Sequence, residues 1–234
     1  MPGNDYSVFS EEWQGFKISK LVRIDIDGGA RKLVVSLEPD GPARCGSCGA
    51  EVSQIHDSYH RRASELPCFE CEVELDVSVR RVNCPFCGRQ VEKIPWLESY
   101  ARYTKRLGES VARMCKFATV KDTAGFFHLD RKTVKAIDAE YIERTLPAPD
   151  FSCVEIIAMD EFAIERGHKY ATVVVEVSRR RVLWVGRGRD RASVHEFFKL
   201  LGEENCKRLK AVAMDMNASY DLEVKEHCPN AKIV

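Results

Sequence analysis

Six of the ten cysteines fall in three pairs, each with two residues between: Cys45/Cys48, Cys68/Cys71 and Cys84/Cys87. Thiolates bind borderline metals such as zinc, and two at this spacing fit one tight turn. In Cys45-Gly-Ser-Cys48-Gly and Cys84-Pro-Phe-Cys87-Gly a glycine follows the second thiol, which lets backbone amides approach the sulfurs. These two knuckles supply the four ligands of a structural zinc, and a hairpin insertion can fill the 35 residues between Cys48 and Cys84. Cys68-Phe-Glu-Cys71 lacks the glycine and runs into Glu72 and Glu74, so it ranks third, as a replacement knuckle or as two metal-free thiols. His56 and His60 read as exposed or hydrogen-bonded side chains before they read as ligands. Cys115, Cys153, Cys206 and Cys228 are scattered and read as small buried hydrophobes.

A second pattern is a repeated Ala-Met-Asp. Asp160 closes the apolar run Val154–Met159, and Asp215 closes Leu209–Met214. If the two strands are neighbours, their carboxylates sit side by side and repel unless they share a cation. Hard Mg²⁺ prefers such oxygen ligands and supports phosphoryl transfer. The plainer reading is two ordinary strand-end aspartates.

A third pattern suits a polyanion. Val120–Phe127 reads as one short helix, His128-Leu129 as a turn, and Asp130 as the N-cap of a second helix. Val134, Ile137 and Tyr141 then point inward, while Arg131, Lys132, Thr133 and Lys135 face out. In a helix-turn-helix those outward positions read base edges and hold phosphates. From Trp96 to Arg144 there are 10 Lys/Arg against 7 Asp/Glu, in a chain whose formal net charge is zero. A helical hairpin with a solvated charged face is the alternative. Arg179-Arg180-Arg181, Arg187, Arg189 and Arg191 suit phosphate contact or a solvated loop equally.

The elements that must position these groups follow from periodicity. Lys17–Asp27 (Ile18, Leu21, Ile24, Ile26) and Arg31–Leu37 read as a hairpin turned at Gly28-Gly29. Pro39-Asp40-Gly41-Pro42 breaks the chain, and strand texture then holds to Cys87, with strict alternation from Val73 to Val79. Thr104–Leu146 has helical spacing and ends at Pro147-Ala148-Pro149. Strands are expected at Val154–Met159, Tyr170–Val177 and Arg181–Val185. A helix follows at Arg191–Leu201, with Phe197, Phe198, Leu200 and Leu201 as its apolar face. Then come a strand at Leu209–Met214, an amphipathic segment at Ala218–His227 and a strand starting at Ile233-Val234. This order is that of an RNase H-like fold.

With 44% hydrophobic and 31% charged residues, the composition is ordinary for a globular protein. Charge balance argues against a protein that coats DNA by bulk charge, and leaves DNA binding through a local patch open. No run approaches a membrane span, and Met1–Phe16 has no signal-peptide pattern, so a cytoplasmic location is expected. In that compartment cysteine pairs favour metal over disulfides.

Together these motifs resemble the ISL-three-type insertion-sequence transposases over nearly the whole chain. The likeness rests on Cys45-Gly-Ser-Cys48-Gly, Arg80-Arg81-Val82-Asn83-Cys84-Pro-Phe-Cys87-Gly, the helix-turn-helix, Met159-Asp160-Glu161-Phe162-Ala163 and Met214-Asp215-Met216-Asn217. It implies a bacterial DDE transposase that binds element ends, terminal inverted repeats in double-stranded DNA, and cuts and joins strands with Mg²⁺. By match, Asp160 and Asp215 are the first two catalytic acids and Mg²⁺ ligands. Asn217, Ser219 and Tyr220 resemble the continuation of the second motif. Cys68 and Cys71 fall outside the family pattern, which favours Cys45, Cys48, Cys84 and Cys87 as zinc ligands. The third acid, a glutamate on a later helix, is expected beyond residue 234, since Glu223 and Glu226 stand too close to Asp215.

The fold class expected is therefore multidomain α+β. It comprises a small β-rich zinc-binding domain (1–95), a helical helix-turn-helix domain (96–146) and an incomplete RNase H-like α/β domain (147–234). Three functions remain open: an active transposase whose remainder lies outside these residues, a truncated remnant that binds DNA without cutting it, and a zinc-containing DNA-binding regulator. The paired Ala-Met-Asp strands speak against the last. A homo-oligomer is among the expected assemblies.

Overall fold

The computed structural model describes residues 12–25 and 31–234. The Gly28-Gly29 turn, Ile26 and the first eleven residues lie outside them. The chain divides into two compact units, Met1–Leu146 and Pro147–Val234.

In the first unit β1 (Phe16–Asp25) pairs antiparallel with β2 (Arg31–Pro39). Leu21 and Ile24 of β1 remain 38% and 45% exposed, so the apolar spacing read there does not bury them. β1 lies at the sheet edge, and a register shift between Ile18 and Lys20 turns part of its face outward. Two short strands, β3 (Ala43–Arg44) and β4 (Glu51–Val52), frame the first knuckle. The chain between the knuckles is a long hairpin, β5 (Ile55–Cys68) and β6 (Cys71–Cys84), followed by β7 (Gly88–Val91). Alternation along β6 sends Val73, Leu75, Val77 and Val79 into the core. On the opposite face Glu74 meets Lys32 at 2.8 Å and Asp76 meets His60 at 3.1 Å. β6 is central: it pairs parallel with β2 and antiparallel with β5 and β7.

Three helices complete this unit: α1 (Lys105–Cys115), α2 (Val120–Phe127) and α3 (Arg131–Thr145). Leu107, Val111, Ala124, Phe127, Val134 and Ile137 form their shared core. A buried carboxylate joins sheet to helices. Glu65 of β5 accepts from Trp13 Nε1 (3.2 Å), Thr104 Oγ1 (2.9 Å) and the Leu66 amide (2.7 Å), and it pairs with Arg106 Nε at 2.9 Å. Thr104 also caps α1, so this network fixes where the helical part begins.

The second unit holds a mixed five-stranded sheet. β8 (Ile156–Glu165), β9 (Lys169–Glu176) and β10 (Arg181–Arg187) form an antiparallel meander. α4 (Arg191–Leu201) and α5 (Glu203–Arg208) then lead to β11 (Ala211–Met214), which lies parallel to β8. α6 (Ala218–His227) connects to β12 (Lys232–Ile233), parallel to β11. The sheet order is β10-β9-β8-β11-β12. Its core includes Ile157, Val174, Phe197, Phe198, Val212 and Tyr220. On α4 the buried residues are Val194, Phe197, Phe198 and Leu201, at i, i+3, i+4 and i+7. Leu200, expected on that face, is 51% exposed because it falls outside this stripe.

Candidate functional site

The two knuckles meet. The sulfurs of Cys45, Cys48, Cys84 and Cys87 all lie within 4.8 Å of one another, and Cys48 Sγ is 3.6 Å from Cys84 Sγ. Four sulfurs about 2.3 Å from one zinc would be spaced about 3.8 Å apart, so the donor set fits a tetrahedral ion. Gly49 and Gly88 take φ of +74° and +71°, the left-handed geometry each knuckle needs after its second thiol. Gly46, not singled out from the sequence, packs so closely that a Cβ would lie 2.5 Å from the Val91 carbonyl oxygen. Its amide donates to that oxygen at 3.0 Å, stitching the first knuckle to β7. Nearby, Glu92 is held by Arg80 at 2.7 Å and pairs by backbone with Cys45.

Electrostatics favour a cation here. The Cys48 amide stabilises the Cys45 thiolate and holds that thiol down to about 7. At Cys48 the Ala50 amide also pulls downward, but burial and the thiols of Cys87, Cys84 and Cys45 outweigh it and push the thiol up to about 11. One thiolate forms readily and its neighbours oppose the next, a conflict that a divalent ion relieves.

Cys68 and Cys71 stand outside the cluster. They face each other across the Phe69-Glu70 turn, at the opposite end of the long hairpin from the knuckles. Phe69 and Glu70 have φ of +50° and +60°, as a two-residue hairpin turn requires. Along a 14-residue strand that end is about 40 Å away. Of the single cysteines, Cys206 and Cys228 are buried as expected, Cys115 is half-buried, and Cys153 is exposed, which corrects its reading as a buried hydrophobe.

Each helix of the trihelical part starts on a side-chain cap: Thr104, Thr119 and Asp130, whose Oδ1 accepts from the Lys132 amide at 2.7 Å. His128 ends α2 in the left-handed conformation, making the sharp turn into α3. Val134 and Ile137 are buried. Arg131, Lys132 and Lys135 are exposed on α3, while Thr133 is half-buried.

Asp160 and Asp215 are brought together by strand register. β8 and β11 pair Ala158↔Ala213 and Met159↔Met214, so the next residue on each is an aspartate at the same level. Both are exposed. One detail corrects the sequence reading: Asp160 is mid-strand, since β8 continues to Glu165 in its hairpin with β9. Only the parallel pairing to β11 stops at Met159. Asn217 caps α6, and buried Tyr220 bonds to Thr172 Oγ1 at 2.8 Å. Burial raises the Tyr220 phenol; Thr172 opposes this, and the negative charges of Glu161 and Asp160 add to it.

Most of the arginine cluster is engaged within the unit. Arg179 and Arg181 pair with buried Glu176, and Arg191 with Glu223 and Glu226. Arg189 lies 4.0 Å over the Tyr170 ring and 3.3 Å from Glu161. Sequence reading missed a further group, His195, Glu223 and His227, gathered between α4 and α6. Glu223 and His227 are four apart on one helix, a readable signal; His195, 28 residues before Glu223, gave none.

Comparison with known families bears on each part in turn. Residues 41–87 match the zinc-finger of transposase IS204/IS1001/IS1096/IS1165. Residues 92–142 match the helix-turn-helix domain of transposase family ISL3, and residues 157–234 match the ISL3 DDE model, described as transposase. The chain carries the zinc-ribbon, helix-turn-helix and DDE domains of ISL3-family transposases. The ISL3 assignment agrees with individual relatives. The chain is 40% identical to the transposase for insertion sequence element IS1001 of Bordetella parapertussis, over 95% of this chain and 55% of the relative. It is 29% identical to the transposase for IS1557 of Mycobacterium tuberculosis, over 88% of this chain and 48% of the relative. It thus spans about half the length of the curated relatives it matches. Among the described residues, no helix is long and apolar enough to cross a membrane.

Proposed function

We propose that this chain carries the DNA-recognition part and the first two catalytic acids of an ISL3-family transposase. The division into a zinc-binding domain (1–95), a helix-turn-helix domain (96–146) and an RNase H-like domain (147–234) follows the same reading. The strand order β10-β9-β8-β11-β12, three antiparallel strands and then two parallel ones, supports an RNase H-like fold. The observation that supports this reading best is the β8–β11 register, which pairs Met159 with Met214 immediately before the two aspartates.

The four cysteines hold a structural zinc with no open position, so it stabilises the knuckles and performs no hydrolysis. Arg131, Lys132, Thr133 and Lys135 lead α3 into the major groove of double-stranded DNA at the terminal inverted repeats. Asp160 and Asp215 would hold Mg²⁺, which when bound supplies Lewis acidity for phosphoryl transfer. The described residues gather no third carboxylate with them. Glu223 is committed to Arg191 and two histidines, which removes it from that role. Strand cleavage therefore belongs to a protein in which a third acid completes the site, acting as a homo-oligomer on paired element ends.

The test uses a full-length ISL3 protein containing this segment. Asp160→Ala and Asp215→Ala should each abolish Mg²⁺-dependent cleavage of element ends while retaining binding in a mobility-shift assay. Cleavage surviving in either variant would overturn the site. Lys132→Ala should instead weaken binding and reduce its salt slope by about one.

A further inference from the structure

We propose that His195, Glu223 and His227 form a second metal site, for a first-row divalent ion of the zinc class, clipping α4 to α6. The reading is independent of the acid pair and of the thiol cluster.

Glu223 and His227 occupy one face of α6, and His195 reaches them from α4. His195 Nδ1 is 3.0 Å from Glu223 Oε2, His227 Nε2 is 3.2 Å from the same oxygen, and the two ring nitrogens are 3.2 Å apart. Three ligand atoms in a near-equilateral triangle are one face of a coordination tetrahedron. With bonds of about 2.0–2.1 Å to zinc, its edges are about 3.3 Å. Two imidazoles and a carboxylate select zinc, cobalt or nickel over Mg²⁺, which demands an oxygen-rich octahedron.

The surroundings orient each ligand. Arg191 Nε takes Glu223 Oε1 at 2.6 Å, leaving Oε2 for the metal, and Glu226 takes the other end of the guanidinium. Phe198 stacks on the His227 ring, with centroids 5.4 Å apart and planes 12° apart, which fixes the imidazole plane. Two carboxylates against one guanidinium leave a negative balance that a divalent ion meets. The Glu223 side chain is 2% exposed, while His195 and His227 are 46% and 26% exposed. The site is thus anchored inside and open outward, with a fourth position for water or an external ligand.

The competing arrangement keeps the triangle with protons, each imidazole donating to Oε2. Metal stoichiometry separates the two. The full chain, equilibrated with excess zinc and desalted, should carry two zinc ions by elemental analysis. Cys84→Ser should carry one, as should His195→Gln and His227→Gln, whose amides preserve a hydrogen bond to Glu223 and so the fold, checked by circular dichroism. Loaded with cobalt(II), Cys84→Ser should keep one ion whose spectrum lacks the sulfur-to-cobalt absorption. A single zinc in the wild-type chain overturns the site, with no variant needed. So does a second zinc that survives both glutamine variants.

Discussion

The thiol cluster and the acid-bearing strands bring ionisable side chains together by opposite means. At the knuckles two short turns place two thiols each, and β6 merely delivers the second turn to the first. Cys45 and Cys84 are buried, at 0% and 4% exposure, so the site is part of a core. Asp160 and Asp215 come from strands 55 residues apart, meet only through sheet register, and stay exposed. Burial of Cys45 and Cys84 ties the first group to a core, although Cys48 is exposed. Exposure leaves the second free to exchange ligands, at the cost of contributing little to folding.

The largest effect should come from breaking the thiol side. Cys84→Ser removes a buried ligand, and structural zinc binding amounts to about 10 kcal/mol of folding free energy in small zinc domains. Loss of the sulfur-to-cobalt absorption and a lowered melting temperature for the first unit are the expected readouts. Cys68→Ser should change neither, because it lies at the far end of the hairpin. If Cys68→Ser alone discharges the sulfur-bound metal, the ligand assignment is wrong.

An intermediate effect separates burial from ligand chemistry. Glu65 is a carboxylate placed as the thiols are, with its side chain 4% exposed and every partner named above. Glu65→Ala leaves Thr104, the Leu66 amide and Arg106 without their acceptor, and should cost about 3 kcal/mol in urea unfolding. A cost below about 1 kcal/mol would mean that water replaces the carboxylate freely, and that the sheet-to-helix junction is looser than its hydrogen bonds imply.

What was legible in the sequence follows the same divide. α2, α4 and α6 begin and end where the sequence placed them, because each has a local start signal in Thr119, Asp190 or Asn217. The knuckles were legible for the same reason. Less visible were features set by distant partners. β8 runs past Asp160 because β9 supplies backbone hydrogen bonds through Glu165, although the apolar run ends at Met159. α1 was merged into a longer helical stretch, and the short, polar α5 gave no periodicity. Gly46 is needed only because Val91 arrives from another strand. His195 meets Glu223 only once two helices pack, so nothing near it in sequence announces the site.

The smallest effect on stability, and the sharpest test of the comparison, is expected at the acid pair. Asp160 Oδ1 accepts from the Glu161 amide at 2.8 Å, and Asp215 Oδ1 from the Met216 amide at 2.6 Å. An asparagine oxygen can accept both bonds, so Asp160→Asn and Asp215→Asn remove charge with little change in shape. Removing one of two neighbouring like charges relieves repulsion, and an exposed isosteric change rarely shifts stability by more than about 0.5 kcal/mol. Each variant should therefore unfold in urea as the parent does, or slightly later. A loss above about 1.5 kcal/mol from either would place that aspartate with Glu65, as an acid that holds the fold, and would remove the contrast between the buried thiols and the exposed acids.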